Sequence, residues 1–258
     1  MIALPIGIGL VIGALVGLLG GGGSILAVPA LVYLAGQDLQ QAVATSLLVV
    51  GITAVVAVIP RLRHRQINWR IGALFGAAGA ATAFAGAAVN QMLPDELALA
   101  LFAALMVGAG GRMLQEKPAT GTACAVDGGR VNWRRCLPRT LAGGLAVGFL
   151  TGLLGVGGGF LIIPVLVLAL GLPMPTAVGT SLVVVATNSA AGFAAHATEA
   201  TLDVPATVAF TAAAVAAALV TGRVGARIHT DRLRRWFAWL VLTVAGLIAI
   251  QLTVDLFA

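Results

Sequence analysis

The chain has 258 residues, of which 60% are hydrophobic and only 9% charged, at a mean hydropathy of +1.05. A water-soluble domain carries roughly a quarter charged residues, so this composition excludes a soluble globular fold. The net charge of +6 does not signal nucleic acid, because all 15 Lys and Arg fall in Arg61–Arg70, Arg112–Arg139 and Arg223–Arg235, in or beside gaps between apolar stretches, without aromatics interleaved for base stacking.

Five helical segments are expected in each half. The first half gives Leu4–Leu19, Ile25–Leu34, Gln41–Ile59, Trp69–Met92 and Asp95–Gln115. The second gives Thr140–Leu154, Phe160–Leu170, Pro175–His196, Val204–Gly222 and Arg232–Leu256. The start, Met1-Ile2-Ala3-Leu4-Pro5, has no basic n-region and reads as part of the first membrane segment. Ile25–Leu34 and Phe160–Leu170 are too short to cross a hydrocarbon core of about 30 Å at about 1.5 Å per residue. Each follows a glycine-rich break and reads as a broken or re-entrant helix, which needs protein or an aqueous cavity around it. Residues 1–115 and 139–258 are expected to be two membrane repeats, joined by a polar linker, 116–138. Cys124 and Cys136 fall in that region; if it is cytoplasmic, two reduced thiols are expected rather than a disulfide or a metal site.

The halves repeat each other. A shift of 135 residues lays Gly9–Val50 on Gly144–Val185 with 22 of 42 positions identical. Gly17–Pro29 falls on Gly152–Pro164, and Ala42–Leu47 on Ala177–Leu182. The basic clusters add direction. In the first half, Arg61, Arg63, Arg65 and Arg70 lie between segments three and four. In the second half the equivalent loop, Ala197–Asp203, has no Lys or Arg, and the charge sits after segment four. Equivalent loops then face opposite sides of the membrane, which defines an inverted-topology repeat. The expected fold is an all-α polytopic membrane protein of two such repeats, with the linker in the cytoplasm and both termini outside.

Candidate binding groups come in pairs. Gly20, Gly22, Gly23 and Ser24, and Gly155, Gly157, Gly158 and Gly159, can expose unpaired amide N–H groups at the start of a short helix, a concavity that attracts anions. A close-packed turn without a ligand is the competing reading. Gly9, Gly13 and Gly17, with Gly144, Gly148 and Gly152, read instead as a smooth face for helix packing. Thr45 and Ser46 repeat as Thr180 and Ser181, and Thr53 has Asn188 as its counterpart. Hydroxyls and amides suit a solute that must bind and leave, though Ser and Thr also bond back to their own helix. His196 borders a span and is a candidate proton relay beside a plain surface reading. No span carries a carboxylate away from its ends, and none offers a catalytic constellation. The expectation is therefore a non-enzyme without metal or cofactor, and without conventional proton or sodium pumping.

The Gly-Leu-Leu-Gly-x-Gly-Gly-Gly/Ser…Pro tract, followed by Ala-Val-Gly-Thr-Ser-Leu, resembles the TauE/SafE-type sulfite exporter family of bacterial membrane permeases. The resemblance runs through both halves; Ala44 departs from it where Gly179 keeps it, and Gly21 stands against Val156. It implies a plasma (inner) membrane location and export of a small sulfur-containing anion such as sulfite or an organosulfonate. The alternative is proton-coupled import of thiosulfate or a related anion. The expected partners are that anion and the lipid bilayer, with homodimerisation left open.

Overall fold

The computed structural model describes residues 3–23, 26–27, 30–31, 36, 39–90, 92, 95–115, 133–154, 159–196, 204–225, 228 and 230–257. Among them the chain is helical, with no strand. Helix α1 (Ala3–Leu19) runs into a 3-10 turn, Gly20–Gly23. Then follow α2 (Leu39–Arg63), α3 (Trp69–Asn90), α4 (Asp95–Gln115) and α5 (Trp133–Leu154). The second half continues with α6 (Gly159–Pro164), α7 (Met174–His196), α8 (Val204–Gly225) and α9 (Thr230–Phe257). Helix is the form an apolar chain takes in lipid, because it satisfies every backbone polar group within the segment.

Four described stretches are long and apolar enough to cross a membrane: Ala44–Arg63, Cys136–Leu153, Met174–Phe193 and Thr207–Gly225. Large apolar side chains point outward, among them Phe84, Val220, Trp239 and Leu247. Hydrocarbon outside makes that exposure favourable.

Apart from Ile25–Leu34, most of which lies outside the described residues, the expected segments appear, with the largest boundary shifts at three places. Helix α2 extends to Arg63, carrying Arg61 out of the expected loop and into the last helical turn. Helix α8 extends to Gly225. Helix α5 begins at Trp133, inside the expected linker, and takes Pro138 into its first turns. Cys136 is buried there and is disulfide-bonded. The expectation of a free thiol is corrected. The chain's other cysteine is Cys124, outside the described residues.

The helix breaks have local causes. Gly20 stands at φ +71°, in the left-handed region that glycine enters without a Cβ clash, and ends α1. In the second half Pro164 brings no N–H to the helical ladder, and the next five residues, Val165–Ala169, widen to a π turn. The Leu170 N–H reaches the Val165 carbonyl at 3.2 Å, and Gly171 closes the segment at φ +70°. Gly36, one repeat earlier, has φ +66°. From Gly159 to Ala169 the segment covers about 16 Å at about 1.5 Å per residue, half a bilayer core. Most of its counterpart, Ile25–Leu34, lies outside the described residues.

Packing follows the repeat and exchanges partners between halves. The two most extensive helix pairs are α3 with α5 and α1 with α8, which are each other's counterparts. Glycine makes both possible. The Cα hydrogens of Gly9, Gly13 and Gly17 lie against the backbone or small side chains of Phe210, Ala214 and Ala218, so α1 and α8 run parallel. Gly144 lies on Phe75 and Ala78, Gly148 on Gly79, and Gly86 on Phe149 and Leu153, so α3 and α5 run parallel too. The hydroxyl of Thr82 crosses that seam to the Leu145 carbonyl at 2.8 Å. Helices α2 and α7 are also counterparts, but they cross antiparallel: Leu47 meets Gly192 and Gly51 meets Ser189. Extrapolating that register brings Thr53 level with residues 187–188 of α7.

Candidate functional site

The glycine break of the first half lies against the second half. A Cβ at Gly20 would stand 2.6 Å from Ser181 Oγ, 3.1 Å from Val178 and 3.3 Å from Ile163. A Cβ at Gly21 would overlap the backbone of Gly159, the first residue of α6. Gly23 folds back on Ile12 and Val16 of its own helix. Close packing accounts for Gly20, Gly21 and Gly23 in this conformation. Gly22 belongs to the same turn. Ser24, Gly155, Gly157 and Gly158 lie outside the described residues, as does the side chain of His196, the last residue of α7.

The hydroxyls divide into two kinds. Thr140, Thr151, Thr187, Thr211, Thr221 and Thr243 each donate to the carbonyl four residues earlier, which is the ordinary state of threonine in a membrane helix. Ser181 donates to the Val178 carbonyl at 2.9 Å. Thr180 accepts the backbone N–H of Asn68 at 3.0 Å, and Asn68 Oδ1 in turn accepts the Ile71 N–H. That link ties the α2–α3 loop to α7 and gives α3 its N-terminal cap. Ser46 is buried.

Thr45, Thr53 and Asn188 differ. Thr45 is 1% exposed and Thr53 0%, and neither hydroxyl has a hydrogen-bond partner among the described residues. The same holds for Asn188 Oδ1. Leaving such a group unmet costs about 1–3 kcal/mol. Thr53 and Asn188 are internal counterparts, and the helix register sets them level where α2 and α7 cross. An amide presents either its carbonyl or its NH2 on a half-turn of its terminal torsion, so Asn188 can donate there as Thr53 can.

Arg61 was not among the sequence-derived site residues. Its side chain is 0% exposed. Nη2 donates to the Gly17 carbonyl at 3.0 Å and the Leu18 carbonyl at 3.2 Å, and Nη1 to Gln66 Oε1 at 3.5 Å. Nε has no partner among the described residues. Nη2 also lies 3.3 Å from the Cβ position of Gly225, so the C-terminal ends of α1, α2 and α8 converge on this guanidinium. A helix C-terminus favours a cation by about 0.3–1 kcal/mol. Burying an unpaired charge costs several kcal/mol, so three helix ends compensate it only in part. A signal was present in the sequence: Val50, Ala54, Ala57 and Arg61 form one helical stripe, buried from end to end.

The basic segments gather at one end of the bundle. Arg70 stacks 5.7 Å from the Trp133 ring centroid, joining the starts of α3 and α5. Arg61 joins the ends of α2 and α8. Among the described residues no group of His, Cys, Asp and Glu could hold a metal.

Lipid-facing apolar helices, broken segments facing each other across the repeat, and unmet polar groups at the crossing define a membrane transporter. The match to known sequences gives the family. The model of the Sulfite exporter TauE/SafE family matches residues 5–248, and the chain belongs to that family. A "Probable membrane transporter protein" of Xylella fastidiosa strain 9a5c is 35% identical over 185 residues, 71% of this chain and 69% of that one. Its counterpart in strain Temecula1 is 34% identical over 183 residues, 70% and 69% of the two chains. The "Probable membrane transporter protein YunE" of Bacillus subtilis is 27% identical over 206 residues, 73% and 76%. No solved structure matches the chain.

Proposed function

We propose that this transporter exports a small sulfur-containing anion, sulfite or an organosulfonate, through a site on the axis between two inverted repeats. The observation that carries the reading is a pair of polar atoms without a partner among the described residues, Thr53 Oγ1 and Asn188 Oδ1, close in sequence to the Gly51–Ser189 contact between α2 and α7. Neutral donors at that depth bind an anion without holding it by full charge. Thr45, one repeat before Thr180, extends the path toward the other end of α2. Inversion is supported by direction: α2 and α7 are equivalent helices that cross antiparallel, as a two-fold axis in the membrane plane requires. Parting of the first break from Ser181 and Gly159 opens the route, and the glycine amides then join the shell.

The basic end faces the cytoplasm in this reading, which sets the linker inside and both termini outside a bacterial inner membrane. Export follows from electrostatics. An anion leaving a negative interior gains about 2.3 kcal/mol per charge per 100 mV, so no coupling ion is required, and the spans offer no carboxylate away from their ends to bind one. The test is sulfite flux from liposomes holding the purified protein under an imposed potential. Efflux should rise as the interior is made negative. Flux indifferent to the potential would count against uncoupled export, and no flux for any sulfur oxyanion or sulfonate would count against the substrate class.

A further inference from the structure

Arg61 has donors to spare. Its guanidinium carries five N–H groups. Two helix-end carbonyls and the long contact to Gln66 leave Nε unmet, and Nη1 weakly engaged, among the described residues. No described carboxylate lies within ion-pair distance of it; the pair of Arg234 with Asp231 lies elsewhere. Its position is also informative. Gly17 and Leu18, whose carbonyls it holds, lie within one turn of the Gly20 break, and the Thr53 hydroxyl lies on the same helix, eight residues back. A purely structural clamp for helix ends would be served by any cation with two donors. A fully buried guanidinium whose Nε is unmet is suited to an oxyanion, which takes two parallel N–H bonds from the Nε–Nη2 edge once Nη2 leaves the two carbonyls.

We propose that Arg61 is the anion-receiving residue of the transport path at its basic mouth, donating from its Nε–Nη2 edge to a small oxyanion beside the first glycine break. This deepens the reading given above and rests on it. Arrival of the anion supplies the negative charge that the Gly17 and Leu18 carbonyls supply in its absence. Those carbonyls are then released, and the end of α1 is freed from the ends of α2 and α8. Recognition and opening of the mouth thereby become one event.

The probe is sodium sulfite at constant ionic strength, on the full chain in phospholipid-free detergent, with apparent Kd read from thermal stabilisation. Two variants are compared with the unaltered protein. Gln66→Glu sets a carboxylate next to Nη1 and makes an internal competitor. It should raise the Kd for sulfite about tenfold or more while the Tm without ligand stays level or rises. Arg61→Lys keeps the charge and loses the fork. It should raise Kd by a similar factor with a lower Tm, whereas a helix-end clamp alone would lower Tm and leave Kd unchanged. An unaltered Kd in either folded variant overturns the assignment of Arg61 alone. If the unaltered protein is stabilised by no member of a panel of sulfur oxyanions and sulfonates, the anion reading falls and this inference with it.

Discussion

Gly144→Ala tests the seam between α3 and α5, on which the relation of the two halves depends. An alanine Cβ at Gly144 would lie 2.7 Å from the Phe75 carbonyl oxygen, 3.0 Å from Ala78 Cβ and 3.1 Å from Phe75 Cα. Ordinary contact begins near 3.4 Å. The shortfall of about 0.7 Å falls on backbone, which no rotamer change relieves, so the helices must part locally and Gly148 loses its seat on Gly79. Overpacking of this kind costs about 1–3 kcal/mol. For a chain of this size, that lowers Tm by about 2–4 °C per kcal/mol, so a fall of about 4–8 °C is expected for a cost near the middle of the range. The matched control is Gly246→Ala, where nothing lies within 4 Å; it should leave Tm level or raise it slightly. The assay is thermal unfolding in one detergent at one protein concentration. Equal Tm values for the two variants would refute the argument, because close backbone approach would then not be holding α3 to α5.

Thr53→Val and Asn188→Leu remove orphaned groups, so each should leave the fold as stable or up to about 1–3 kcal/mol more so, yet abolish stabilisation by sulfite; retained sulfite response in both would take the crossing out of the site. Thr180→Val should do the reverse, since it deprives the Asn68 N–H of its acceptor: a loss of about 1–3 kcal/mol in stability with sulfite affinity intact, measured in the same thermal series. For orientation, single cysteines at Arg65 and Met92, in a chain with Cys124 and Cys136 replaced, should react with an impermeant maleimide from opposite sides of the inner membrane. Arg65→Cys should label only after the membrane is opened, and labelling of both from one side would end the inverted reading.

Composition and periodic breaks were enough to determine the solvent, the helical class and the repeat. In lipid the backbone has one local way to satisfy itself, and a run such as Gly20–Gly23 interrupts it wherever it occurs. The duplicated glycine tracts, the offset of 135 residues and the swap of basic loops were all legible in the letters. Only the tertiary structure decided what each polar group does. Thr45 and Thr180 are identical in type and equivalent in position, yet one caps a loop through Asn68 and the other has no described partner. Arg61 belongs by sequence to a solvated basic cluster, but α2 runs one turn further than its apolar pattern indicated and buries it among three helix ends. A side chain's charge and hydrogen-bonding capacity are local properties. The partners that meet or fail to meet them come from distant segments, and a single sequence does not contain those distances.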